Sequence, residues 1–211
     1  MYVLYHFPMS QHARRVVALM EEARLPYEIR AIDMAAGQHM SDEFRKINPN
    51  HQVPVLVDGD LVLAESNAIL RYLCARHDLD TWYPGAAASR AIVDQWLDWN
   101  QTRLGPAVVD IVLNTVFLGP NGDKAAIARG QQRLADVAPV LEAALTRRSC
   151  VAGSAPTIAD LSIASNITQL QLARAAPTSP AIAAWHIRIS ALAGVRASCA
   201  PLQAMLGTVV A

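Results

Sequence analysis

The chain has 211 residues, 53% hydrophobic and 17% charged, with 18 basic side chains balanced by 18 acidic ones. That apolar fraction excludes a disordered chain. Zero net charge argues against binding to nucleic acid or to an anionic membrane, and no apolar window of about 18 residues offers a bilayer span. The length suits one large domain or two small ones. No basic stretch followed by an apolar run and a cleavage site opens the chain, so no secretory signal is expected. Cys74, Cys150 and Cys199 are too few and too far apart for a disulfide framework or a C-x-x-C motif. A soluble, reduced, cytoplasmic protein is expected.

Element types alternate over the first 80 residues. Tyr2–Tyr5 is β-prone and closes at Phe7-Pro8. Ala13–Arg24 carries a helical stripe through Val16, Val17 and Met20, with Pro26 as a stop. Tyr27–Ile32 alternates like a strand, and Ser41–Ile47 is a short helix that ends before Asn48-Pro49. Val53–Val57 and Leu61–Leu63 flank Asp58-Gly59-Asp60, a hairpin signal. Ser66–His77 resumes helical spacing. The order βαβαββα predicts a mixed sheet with parallel units followed by an antiparallel hairpin. Turn residues gather between Asp78 and Ala88. Beyond them the pattern is helical: a long stretch from Ser89 through Val116 with a bend expected at Gly105-Pro106, then Ala125–Leu145 kinked at Pro139, Ala159–Ala173 and Ile182–Leu192. The expected organisation is an α/β unit over residues 1–77, a linker over 78–88, and an all-helical bundle over 89–211.

Several side chains stand out chemically. Ser10 precedes the first helix, with Arg14 and Arg15 one turn on. It reads either as a helix cap or as a hydrogen-bond donor to an anion held at that N-terminus, and no Gly-x-Ser-x-Gly elbow supports a serine hydrolase. Pro54 stands where a strand begins, which fits an edge position or a cis peptide; a cis bond would turn the Val53 backbone outward to pair with an extended ligand. Glu65-Ser66 opens the helix after the hairpin. An acid beside a helix N-terminus suits an amino-acid zwitterion, the acid taking the ammonium and the N–H groups the carboxylate, although a plain serine cap is the commoner use. Thr157–Asp160 fits a capping box. Five of the six histidines lie in the first 80 residues, yet their spacings do not make a ligand set, and no metal is expected. Trp96 and Trp99 read as bundle core.

Taken together and in order, these features make the chain similar to the cytosolic glutathione S-transferase superfamily, with a thioredoxin-like first domain and a helical second one. Asn48–Gly59 resembles the family's cis-proline segment, Glu65–Leu70 its glutamate-serine motif, and Pro156–Asp160 its capping box. Ser10–Arg14 resembles the serine-x-x-x-arginine start of theta- and delta-like, serine-using classes, including bacterial-style members. The resemblance implies that Ser10 hydrogen-bonds the glutathione sulfur and favours its thiolate, with Tyr5 as the alternative. It implies that Val53 and Pro54 hold the cysteinyl backbone, that Glu65 and Ser66 hold the γ-glutamyl zwitterion, and that His39 and His51 reach the glycyl end. Asn67 stands where such relatives often carry arginine. An electrophile pocket would involve Phe7, Met9, Arg103, Leu104 and Val108. The implied activity is transfer of glutathione, as co-substrate, to small hydrophobic electrophiles. Glutathione-dependent dehalogenation, disulfide reduction or peroxidase chemistry, and non-catalytic ligand binding, are the alternatives on the same scaffold. A homodimer is implied, paired through Ile69–Tyr72 and Ile92–Trp99.

Overall fold

A computed structural model describes residues 1–209, with side chains to Ala204. The chain divides into two compact units. The first contains Met1–Leu79 together with the described residues from Leu192 onward, and the second contains Asp80–Ala191.

In the first unit, strands β1 (Tyr2–His6), β2 (Tyr27–Ala31), β3 (Val55–Asp58) and β4 (Leu61–Leu63) form one sheet in the order β2-β1-β3-β4. β1 runs parallel to β2, β3 is antiparallel to β1, and β3–β4 is the hairpin around Gly59. Gly59 sits at φ 58, the left-handed region a tight hairpin needs and glycine adopts without strain. The pleat sends paired residues to alternate faces. Tyr5 pairs with Val55 and joins the cluster of Ile32, Phe44 and Val53 on the side of helix α2 (Asp42–Ile47). Leu4 pairs with Leu56, and both are fully buried on the other face. Tyr2 shares that face and hydrogen-bonds His77 at the end of α3 (Ser66–Arg76) at 2.7 Å, which places α3 there. Helix α1 (Gln11–Glu22) packs against α3.

The sequence pattern anticipated no helix after residue 192, yet α9 (Ala193–Val209) forms there and lies along α1 within the first unit. Its start is pinned by Gly194, whose N–H donates to the Glu22 carboxylate at 2.6 Å. A Cβ at Gly194 would collide with the Ala18 carbonyl, so this crossing requires glycine. Pro201 and Gly194 interrupt the apolar periodicity that would have revealed the helix.

The second unit is helical among its described residues. α4 (Ala87–Trp99) and α5 (Gly105–Val112) run on through wide π turns at Asn100–Leu104 and Leu113–Phe117, so the break expected at Gly105-Pro106 is a change of helical pitch. α6 (Lys124–Arg147) passes through Pro139 without ending. α7 (Ile158–Leu172) is almost entirely buried, polar residues such as Asp160, Ser162 and Asn166 included, the mark of a central helix. α8 (Pro180–Ser190) has its first N–H groups capped from another helix, with Ala181 and Ile182 donating to Glu142 at 3.0 and 2.9 Å.

The capping box at Thr157 forms, and its acid does more than cap. Asp160 is fully buried. It accepts from the Thr157 N–H and hydroxyl, from the Val151 N–H, and from the Trp185 indole, all between 2.9 and 3.0 Å. Burial pushes its pKa up while these donors pull it down. Asp160→Ala would strand them in an apolar interior. We expect a loss of about 3–5 kcal/mol, read by urea unfolding. Asp160→Asn should lose less, since one acceptor oxygen survives.

Candidate functional site

Ser10 is the N-cap of α1: its Oγ accepts from the Ala13 N–H at 3.2 Å, and its own N–H donates to the Phe7 carbonyl at 2.9 Å. A hydroxyl has two acceptor lone pairs and one proton. Capping uses a lone pair, so the O–H of Ser10 remains the donor that an anion at this helix end can take. The cap is therefore present, and it is compatible with the donor role expected of Ser10. Tyr5 lies elsewhere. Its hydroxyl accepts from Arg30 on β2 at 3.2 Å, and its ring packs edge-on to Phe44.

The loop before β3 is shaped by Asn48, a buried side chain to which the sequence assigned no role of its own. Asn48 donates to the Gln52 carbonyl at 2.8 Å and accepts from the Asn50 N–H at 3.0 Å. This turn leads into Val53, buried, and the Val53–Pro54 peptide, which is cis. His51 adopts φ 56 and donates from Nδ1 to the His39 carbonyl at 2.9 Å. The two histidines thus meet through one ring and one backbone group. A carbonyl can only accept, so the proton is on Nδ1 and the Nε2 of His51 is left for other partners.

Glu65 is exposed and held at φ 65, in the left-handed region. A non-glycine residue there costs roughly 1–3 kcal/mol, and such strain gathers at binding sites. Ser66, the first residue of α3, is buried. Phe7 packs on the Ile32–Phe44–Val53–Val55 cluster, and Met9 is half-buried, its carbonyl accepting from Arg14 at 3.5 Å. The remaining expected pocket residues belong to the second unit. Arg103 is exposed there, whereas Leu104 and Val108 are closed in its core, at 1% and 0% exposure. Helical spacing alone gave no way to tell their face from a ligand-facing one. Ile69 and Leu70, expected at a subunit contact, are likewise buried in their own unit. Among the described residues no cluster of three His, Cys, Asp or Glu could hold a metal ion.

Electrostatics set this region apart. Arg14 and Arg15 are almost completely buried, at 1% and 0% exposure, in the first half of α1. Burial brings their pKa values down to about 10 and about 9, so both carry a full charge at neutral pH. The surrounding histidines register that field. His6 is pushed down to about 4 by burial and by Arg14, and His12 to about 3 by burial, Arg15 and Arg14. Burial, the larger cause, disfavours either charge, whereas the arginine field repels a proton from imidazole and would favour a nearby anion. The signal in the sequence was a pair of arginines inside the apolar run Ala13–Met20.

Comparison with known proteins agrees with this architecture. Residues 1–75 match the family described as glutathione S-transferase, N-terminal domain, and residues 104–193 match glutathione S-transferase, C-terminal domain. The chain is 35% identical over 202 residues to glutathione S-transferase theta-1 of Bos taurus, covering 90% of this chain and 83% of that one. Among solved structures, glutathione transferase F2 from Populus trichocarpa superposes with a TM-score of 0.88 at 25% identity, covering 97% of this chain and all of the other. The apo form of human glutathione S-transferase T1-1 gives 0.84 at 30% identity, covering 91% and 84% of the two chains.

The depressed histidines predict acid sensitivity. Both have folded pKa values below their unfolded value of about 6.5. The unfolded chain therefore binds more protons between about pH 4 and 6.5, and stability falls as pH drops through that window. Each should cost roughly 2 kcal/mol between pH 7 and 5. Urea unfolding at pH 7, 6 and 5 should show this slope, and His6→Gln should flatten it by about half.

Proposed function

This chain belongs to the glutathione S-transferase family, and from that premise we propose that Ser10 is its thiolate-stabilising residue and glutathione its nucleophile. The enzyme is a glutathione transferase. The observation carrying the assignment is that the Ser10 hydroxyl caps α1 immediately before two buried guanidinium groups.

Free cysteine thiols have a pKa near 8.5, so only a few per cent are ionised at neutral pH. A serine O–H, a helix N-terminus and the field of Arg14 and Arg15 all favour the anion. Lowering the pKa by about two units corresponds to about 2.7 kcal/mol and ionises most of the sulfur at pH 7. The thiolate then attacks an electrophilic carbon beside Phe7 and Met9, a C–S bond forms, and the leaving group departs with its electron pair. Glu65 takes the γ-glutamyl ammonium and Ser66 its carboxylate. Val53, held by the cis bond to Pro54, pairs with the cysteinyl backbone, and His39 and His51 serve the glycyl carboxylate.

Among the described residues no helix is long and apolar enough to cross a membrane. We place the enzyme in the cytoplasm as a homodimer, and sedimentation should give about twice the 22.8 kDa chain mass.

Because Ser10 both caps and donates, its two roles need separate variants. Ser10→Ala should lose about 1 kcal/mol of stability as well as the thiolate, whereas Ser10→Gly should lose only a few tenths as a cap. Both should raise the bound thiol pKa towards 8.5, followed by thiolate absorbance against pH. Titration curves identical to wild type would remove Ser10 from the chemistry. Glu65→Ala should instead raise the Michaelis constant for glutathione at nearly constant turnover, by about tenfold, since it touches a part of the substrate that does not react.

A further inference from the structure

In the second unit, the C-terminal end of α6, the loop to α7 and the last turn of α8 frame an open cavity of about 800 Å³. Its lining holds three guanidinium groups, Arg147, Arg148 and Arg188, and no carboxylate. Ser149, Gly153 and Ser154 of the loop complete the wall. All three arginines are exposed. Among the described residues none of them pairs with an acid, whereas Arg129 and Arg133 of α6 both pair with Asp110. The acids on the framing helices are engaged elsewhere. Asp136 accepts from Gln132, Glu142 from the first N–H groups of α8, and Asp160 from Thr157, Val151 and Trp185.

The loop is held in one shape. Cys150 and Gly153 exchange backbone N–H···O bonds at 3.0 and 3.3 Å, and the Val151 N–H is fixed by Asp160. Arg188 donates from Nη2 to the Ser149 carbonyl at 2.8 Å, which ties α8 to the loop and leaves the rest of its fork as donors. A Cβ at Gly153 would meet no atom within 4 Å, so the turn faces open space. The charges do not balance locally. α6 and α8 each place an arginine in their last turn, where a helix end carries about half a negative charge. Two such ends offset about one of the three positive charges, so about two remain, on a chain of zero net charge.

We propose that this cavity binds a small organic phosphate as its dianion, with Arg147, Arg148 and Arg188 as the groups that hold the phosphate. A phosphate monoester carries about 1.5 to 2 negative charges at neutral pH, which matches the local surplus. Planar guanidinium forks take phosphate oxygens in pairs. A monocarboxylate offers one charge and two oxygens, and leaves part of the surplus standing. The volume falls within the roughly 300–1,000 Å³ of small-molecule sites. None of these residues is assigned to glutathione, so the site stands independently of that reading.

The test titrates glycerol 3-phosphate and glycerate, a dianion and a monoanion of similar size, calorimetrically into the full-length protein at neutral pH. Glycerol 3-phosphate should bind about tenfold or more tightly than glycerate. Arg148→Gln should weaken it by about tenfold. Arg174→Gln makes the same charge change at another exposed arginine of this unit, and should alter affinity by less than about twofold. Gly153→Leu fills the cavity without changing its charge, at a backbone position outside the left-handed region, and should weaken glycerol 3-phosphate as much as Arg148→Gln does. Urea midpoints equal to wild type show that the variants are folded, and should Gly153→Leu not fold, the two arginine variants decide. Absence of glycerol 3-phosphate binding at millimolar concentration would overturn the proposal, as would equal affinity for glycerate. Equal losses in Arg148→Gln and Arg174→Gln would reduce the effect to general surface charge and overturn it too. Binding of a phosphoserine peptide without binding of glycerol 3-phosphate would overturn it in favour of a phosphorylated protein.

Discussion

Two adjacent guanidinium groups inside the first unit constrain most of what surrounds them. Consecutive helical residues diverge by about 100°, so Arg14 turns back to the Met9 carbonyl while Arg15 crosses to α3. Neither charge can be withdrawn at neutral pH, and both are kept from water. The cost of burying them is shared with groups that respond to the same field: His6 and His12 stay neutral. The loop carrying Ser10 is tied to the same helix through its cap. Under the proposed role of Ser10, a thiol at that point would meet a helix N-terminus and a hydroxyl donor that need not reorganise as the anion forms.

The second unit solves the opposite electrostatic problem. Its buried charge, Asp160, is negative and is surrounded by donors from Thr157, Val151 and Trp185. It ties the loop before α7 to α8, and Glu142 caps α8 from α6. A buried anion saturated with hydrogen bonds specifies a packing arrangement. In the first unit the buried charges are cationic instead, Arg14 and Arg15 on α1.

The sequence by itself determined the strand and helix order of the first 80 residues, the hairpin at Gly59, the capping box, and the position of Ser10, Val53–Pro54 and Glu65–Ser66. These are local signals: turn residues, caps and apolar periods act over a few residues, and the physics that produces them is equally short-ranged. Tertiary structure decided the rest. Only packing showed that Leu104 and Val108 close into a core and that α9 returns to α1 at Gly194. Only packing brought Arg15 across 51 positions to Ser66, and Asp160 across 25 to Trp185. A side chain's burial and its long-range partners depend on which surfaces the folded chain brings together, and no window of sequence contains that information.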